Sequence, residues 1–313
     1  MHTNPLQTIL AEPFASMPPK YRRPGVQTAW AEANKGGAAV DCFLEGPCFD
    51  REGHLYVVDI PFGRVFRISP VADWTLVAEY EGWPNGLRIA RDGRIFIADY
   101  RQGLAHLDPA SGEVSALLSH RNSEGFKGLN DLTIAANGDI LFTDQGQTGL
   151  HDPTGRVYRL REGGHEGGRL ELLLANVPSP NGLVLSADEK VLFVAATRGN
   201  CIWRGPIMAD GTLSKVGNFF QLYGPTGPDG LAMDDAGNLA IAHPGSGSVW
   251  LVDPQGEAIA RVRGPAGCFI TNLAYGYDKD GRANEQLYMT DSQNGVVLRA
   301  QMPQRGRTLV SHL

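Results

Sequence analysis

One short phrase returns along this chain at near-regular intervals, and no other feature restricts its folding as much. Its fullest form is Gly227-Pro228-Asp229-Gly230-Leu231. Related forms are Leu44-Glu45-Gly46-Pro47, Pro84-Asn85-Gly86-Leu87, Leu129-Asn130-Asp131-Leu132, Pro180-Asn181-Gly182-Leu183 and Thr271-Asn272-Leu273-Ala274. The variable residues stand at 45, 85, 130, 181, 229 and 272, so the intervals are 40, 45, 51, 48 and 43 residues. Repeats of this length suit the blades of a β-propeller, in which each unit buries its apolar faces only by stacking on its neighbours.

A second signal keeps the same phase. Fourteen residues after each variable residue a β-rich run ends, at Tyr56-Val57-Val58-Asp59, Phe96-Ile97-Ala98-Asp99, Leu141-Phe142-Thr143-Asp144, Phe193-Val194-Ala195 and Ala240-Ile241-Ala242-His243. The sixth unit reaches Tyr288-Met289-Thr290-Asp291 after nineteen, which places an inserted turn at Asp278-Lys279-Asp280-Gly281-Arg282. Arg51-Glu52-Gly53, Arg91-Asp92-Gly93, Ala136-Asn137-Gly138 and Asp235-Ala236-Gly237 read as the hairpin turns between paired runs. Third strands are predicted at Arg64–Ile68, Arg156–Leu160 and Ser248–Val252. Fourth strands are predicted at Trp74–Tyr80, Val114–Leu118, Leu170–Leu174 and Ala258–Val262. The expected fold is all-β: a six-bladed propeller with four-stranded antiparallel blades around a central channel, formed by residues 41–313 as a single domain. Residues 1–40, with prolines at 5, 13, 18, 19 and 24, read as an irregular arm that closes the last blade, and Gln27 to Glu32 is the expected donor strand.

Bulk properties narrow the partners. With 39 glycines, 20 prolines and 42% hydrophobic residues among 313, the chain has turns and core enough for such a fold. A net charge of -6 and the lack of a basic block argue against nucleic acid, leaving a small molecule as the expected ligand. No apolar run approaches the roughly 20 residues of a membrane span, and Met1 to Pro13 lacks the pattern of a secretory leader, so the expectation is a cytoplasmic protein with no membrane partner. Cys42, Cys48, Cys201 and Cys268 show no paired spacing and are expected to be buried thiols.

In an antiparallel hairpin the first residue of one strand and the last of the next share an end, so the 45-type and 59-type residues share a rim. Six side chains should therefore converge there: Glu45, Asn85, Asn130, Asn181, Asp229 and Asn272. Pro-Asn-Gly and Pro-Asp-Gly are commonly turn tripeptides, but here they precede the first strand while the hairpin turns fall about seven residues later. Two carboxylates and four amides at a narrow mouth are costly to desolvate without a cation among them, and oxygen donors favour a hard one. Asp59, Asp99, Asp144 and Asp291 are expected to accept backbone N–H bonds at strand ends. His243, in place of an aspartate in that series, and His151, in the loop after Asp144, are candidates to orient substrate. No hydrolase nucleophile elbow, zinc-protease helix, phosphate loop or dinucleotide fingerprint is present.

With these motifs, over roughly Phe43 to Pro303, the chain resembles the senescence marker protein/gluconolactonase/luciferin-regenerating enzyme family of six-bladed propellers. The resemblance rests on Glu-Gly-Pro at 45 to 47, Leu-Asn-Asp at 129 to 131 with Phe142-Thr143-Asp144 downstream, Pro-Asn-Gly-Leu at 180 to 183 and Pro-Asp-Gly-Leu at 228 to 231. It implies that Glu45, Asn130, Asn181 and Asp229 ligate one divalent cation, calcium first, with magnesium, manganese, zinc or iron as alternatives. It further implies a lactonase acting on a small sugar or aliphatic lactone, with Asp229 as general base and Asp131 as the alternative base. Asn85, Asn130 and Asn272 would then contact substrate. Gly128 stands where some sugar-lactone members carry an arginine, with Phe126 and Lys127 before it, which widens the expectation to short aliphatic lactones. A metal-dependent phosphotriesterase and a non-catalytic scaffold are the rival readings.

Overall fold

The structure, a computed structural model, describes residues 6–161 and 169–313. Six antiparallel sheets stand in a ring as the blades of a propeller. Blade I is formed by Leu44–Phe49, Leu55–Asp59, Arg64–Ile68 and Trp74–Glu79. Blades II, III and IV repeat that order from Pro84–Ile89, Leu129–Ile134 and Pro180–Leu185, each innermost strand followed outward by the next three. Blade V starts at Leu231–Met233 and blade VI at Ile270–Tyr277. The insertion in blade VI is a turn in which the Asp278 and Gly281 N–H groups donate to Arg282 O and Asp278 O. Apolar side chains pack between neighbouring blades: Val58 and Val65 of blade I share a cluster with Leu87, Ile97 and Leu107 of blade II. All four cysteines are free, with Cys42, Cys48 and Cys201 buried.

The ring is closed by the N-terminal arm, through a different segment from the expected one. Glu12–Ser16 forms the outermost strand of blade VI, antiparallel to Val296–Gln301. Gln7–Leu10 adds a fifth, parallel strand to Ala258–Arg263 of blade V. The expected donor, Gln27 to Glu32, is no strand: helix α1 spans Ala29–Lys35. Its Ala-rich composition favours a helix. The Thr28 hydroxyl caps its start by accepting from Ala31 N–H at 3.2 Å, and Gly36 ends it in the left-handed region at φ 58°. Seven residues are too few to show helical periodicity, which is why the sequence pattern concealed it. Trp30 and Ala31 are buried, with Trp30 4.8 Å from the Phe43 ring, so α1 is packed over the mouth of the channel.

At the opposite end, the C-terminal tail covers the hairpin-turn side. Arg307 donates to the carbonyls of Leu185 and Ser186, and His312 stacks on Tyr277 at 3.5 Å. Among the described residues no helix is long and apolar enough to cross a membrane.

The innermost strands are interrupted where the repeated phrase falls. Their pairing slips between Glu45 and Cys48, Pro84 and Gly86, Leu129 and Leu132, Pro180 and Leu183, and Ile270 and Asn272. A bulge of this kind re-aims a side chain, here toward the channel. The glycine after the variable residue answers to packing rather than to a turn. A Cβ on Gly86 would lie 2.5 Å from Asp131 Oδ1 and 2.7 Å from its Cα; one on Gly230 would lie 2.2 Å from Asn272 Oδ1. Only a residue without a side chain lets adjacent inner strands approach this closely.

Candidate functional site

The strand ends are pinned before the site is built. Asp59 accepts from Phe43 N–H at 2.7 Å, Asp144 from Gly128 N–H at 2.9 Å and Asp291 from Phe269 N–H at 2.8 Å. Each bond ties the end of a second strand to the residue two or three before Glu45, Asn130 or Asn272. Asp99 serves its own loop, accepting from the Arg101 and Gln102 N–H groups, both at 2.8 Å, and from the Tyr80 hydroxyl at 2.9 Å. Asp59 also pairs with the buried Arg64.

Five of the six recurring side chains then meet around a cavity of about 180 Å³ at the channel mouth: Glu45, Asn85, Asn130, Asn181 and Asp229. The Asn130 Nδ2 donates to Gln145 Oε1 at 2.9 Å, and Gln145 Nε2 donates to Ser179 Oγ at 3.0 Å. That chain spends the amide nitrogen and leaves the Asn130 oxygen to act as a donor atom for a ligand. Asn181 is hydrogen-bonded to Asp229, and its main-chain oxygen accepts from the Thr143 hydroxyl of blade III at 2.8 Å. Asn85, half-buried, has no side-chain hydrogen bond to another described residue.

Asn272 lies elsewhere. It is 2% exposed and outside the cavity wall, with Nδ2 donating to Glu45 Oε2 at 2.9 Å and Oδ1 accepting from Leu273 N–H at 2.8 Å. It stands behind Glu45 and holds it. Asp131 is also buried behind the mouth, its Oδ1 accepting from Leu132 N–H and lying 3.8 Å from Arg88 Nη2. His243 is buried and accepts from Trp250 Nε1 at 3.3 Å, outside the cavity wall. His151 is exposed in an adjoining recess of about 580 Å³, which shares Asn34, Gln145 and Arg198 with the mouth cavity.

Electrostatics mark the site. Burial pushes Glu45 up to about 7, against hydrogen bonds from Thr271, Asn272 and Gly46, and the Asp131 charge adds to the rise. Asp229 is held well above the ordinary carboxylate range by burial and then by repulsion from Glu45 and Asp131. Two carboxylates that repel each other, Glu45 buried and Asp229 half-buried at the cavity, flanked by amide oxygens, suit a hard divalent cation, which would relieve the repulsion and keep both ionised. Glu45, Asn130, Asn181 and Asp229 thus fit the metal implied for them. The turn residues Asp50, Glu52 and His54 also cluster, but Asp50 Oδ1 accepts from the Glu52 and His54 N–H groups and Oδ2 faces His54 Nδ1 at 3.1 Å, so this carboxylate is committed to its turn.

Several wall residues carried no signal as repeat members: Trp30, Asn34 and Lys35 from α1, then Tyr100, Arg198 and Phe269. Tyr100 and Arg198 follow the ends of second strands, so the shared-rim register itself could have located them. The three from α1 could not be placed without the tertiary position of the arm.

Fold and site together define a six-bladed propeller with an oxygen-lined pocket at one end of its channel. The chain belongs to the SMP-30/Gluconolactonase/LRE-like family, whose model matches residues 43–293. Lactonase drp35 of Staphylococcus epidermidis is 28% identical over 271 residues, covering 83% of this chain and 75% of that protein. The gluconolactonase of Zymomonas mobilis is 28% identical over 287 residues, covering 82% and 78%. Among solved structures, the calcium-binding protein regucalcin of Agrobacterium tumefaciens shares the fold at a TM-score of 0.71 and 20% identity, over 96% of this chain and 99% of that one.

Proposed function

We propose that this protein is a metal-dependent lactonase that opens a small lactone to its hydroxy acid. The observation that carries the reading is the convergence of Glu45 and Asp229 with Asn130 and Asn181 on one small cavity, two mutually repelling carboxylates among neutral oxygen donors. Relatives named lactonase and gluconolactonase support the same class of reaction.

Glu45, Asn130, Asn181 and Asp229 would hold the cation. A divalent ion bound there supplies Lewis-acid polarisation of the lactone carbonyl and stabilises the charge that develops on its oxygen. Asp229 faces the cavity and takes the proton of the attacking water; it returns that proton to the ring oxygen as the carbonyl carbon–oxygen bond breaks. One water is consumed, and the product is a carboxylic acid with a free hydroxyl. Asn272 acts on Glu45 rather than on substrate, holding its Oε2 by a hydrogen bond. Asn85 hydrogen-bonds the substrate at the mouth, and the Tyr100 hydroxyl, kept neutral by burial, can do the same. Calcium is the first choice on donor type, ahead of magnesium and manganese.

The test is acid release from a panel of aldonolactones and short aliphatic lactones, using protein stripped with chelator and restored with single cations. Release that vanishes on stripping and returns with one metal supports the reading and names the cation. Hydrolysis of a phosphotriester without any lactone would replace it with the phosphotriesterase reading, and activity indifferent to chelator would end the metal assignment.

A further inference from the structure

The mouth cavity carries more positive charge than its metal ligands require. Lys35, on α1, places its ammonium 4.5 Å from the Phe43 ring centroid, 5.0 Å from Phe269 and 5.8 Å from Trp30. Among the described residues no carboxylate lies within ion-pair distance of this ammonium, and the ammonium makes no hydrogen bond. Asp229 is near enough to feel its charge but not to pair with it. Arg198, in the turn Thr197–Gly199 after the second strand of blade IV, borders both the mouth cavity and the adjoining recess. Its guanidinium likewise has no ion pair and no hydrogen bond among the described residues. Arg64, Arg156 and Lys127 are by contrast engaged, with Asp59, Glu124 and Thr154.

Charge arithmetic turns these two groups into a specificity statement. The charges of Glu45 and Asp229 cancel a divalent cation, and Asp131 is offset by Arg88 at 3.8 Å. Lys35 and Arg198 then remain as two cationic side chains without an ion-pair partner among the described residues, on the wall of a cavity of about 180 Å³. That volume is below the roughly 300–1,000 Å³ of sites for drug-sized ligands, so it suits a single small ring. The three aromatic rings lower the local dielectric around Lys35 and fix its stem, which strengthens any charge-assisted bond it makes. A guanidinium two-pronged on a carboxylate and an ammonium beside it are a common anion clamp.

We propose that the preferred substrates are anionic lactones, small rings bearing a carboxylate besides the ester, with Lys35 and Arg198 binding that carboxylate. The proposal rests on the lactonase reading above. Neutral sugar lactones would bind without using either cation, and their hydroxyls would leave both charges unmatched.

The test compares two substrates of equal size on the metal-loaded enzyme: 5-oxotetrahydrofuran-2-carboxylate and its neutral carboxamide. The wild type should favour the carboxylate in kcat/KM by at least about tenfold, as one charge-assisted hydrogen bond would provide. Lys35→Gln and Arg198→Gln should each lower that preference by about tenfold, mainly through KM for the carboxylate, as loss of a charged contact predicts. Lys279→Gln, an exposed turn residue with the same change in net charge, should leave the preference where it is. Added salt should reduce turnover of the carboxylate more than of the carboxamide.

Equal turnover of the two substrates by the wild type, or a preference untouched in both cavity variants, overturns the proposal while leaving the lactonase intact. If neither substrate is hydrolysed, the lactone panel above decides the lactonase reading, and calorimetric binding of 2-hydroxyglutarate, the ring-opened diacid, decides the anion site. Binding that weakens about tenfold in Lys35→Gln supports the site. No binding to the wild type, or equal binding to wild type and Lys35→Gln, removes it.

Discussion

The pH dependence of the metal-free protein offers the sharpest check on the site. Glu45 is held up to about 7 from an ordinary 4.5, chiefly by burial, so the folded state binds its proton more tightly than the unfolded chain does. A raised carboxylate contributes stability that is fully present below the unfolded value and is lost as pH rises through the folded one. Stability of chelator-stripped protein should therefore fall between about pH 4.5 and pH 7. At 1.36 kcal/mol per pH unit, the difference between the two values corresponds to a loss on the order of 3 kcal/mol by pH 8. Asp229 moves in the same direction and extends the decline. Glu45→Gln removes the Glu45 titration and the repulsion it exerts on Asp229, so its curve should be flatter. The assay is urea denaturation with chelator at half-unit steps from pH 5 to 8, for wild type and Glu45→Gln. Saturating metal should abolish the decline in the wild type, because the ionised carboxylates are then the bound form, and metal affinity should rise with pH over the same window. A difference between wild type and Glu45→Gln that stays constant across the range would refute the account of Glu45 as a strained, buried acid.

Other outcomes follow from particular contacts. Asp229→Asn should lower kcat by about 10²- to 10⁴-fold if it is the base, measured at metal concentrations that saturate the variant. Asn272→Ala removes the amide donor to Glu45 Oε2 and should weaken metal binding by about 10- to 100-fold with the fold retained, read by calorimetry and circular dichroism. Gly230→Ala sets a methyl group 2.2 Å from Asn272 Oδ1 and should cost at least about 1–3 kcal/mol in urea denaturation, whereas Gly125→Ala, with open space around it, should be near neutral. Deleting residues 1–17 removes the closing strand of blade VI and should leave a protein that aggregates on heating, seen by light scattering.

Much of the architecture was legible because its causes are local. A hairpin relates positions 45 and 59, or 130 and 144, through a turn only a few residues away, and six copies in one phase leave little besides a six-bladed ring. The shared rim of those positions is a consequence of strand pairing alone, and five of the six variable residues face the mouth cavity. The arm was less legible. Its closing strand Glu12–Ser16 pairs with Val296–Gln301 across nearly the whole chain, and no local pattern distinguishes it from Gln27–Glu32.

What the sequence by itself determined is therefore the repeat, the blade and the set of oxygen-bearing side chains at one rim, all consequences of strand alternation and turn chemistry within about fifty residues. The tertiary structure decided which of those side chains face the cavity and which stand behind it. Asn272 meets Glu45 across 227 residues of sequence, the repeat glycines exist to let one blade's inner strand approach the next, and α1 brings Lys35 over the mouth. Such roles arise only when the ring closes, because closure sets the distances between residues that no turn connects.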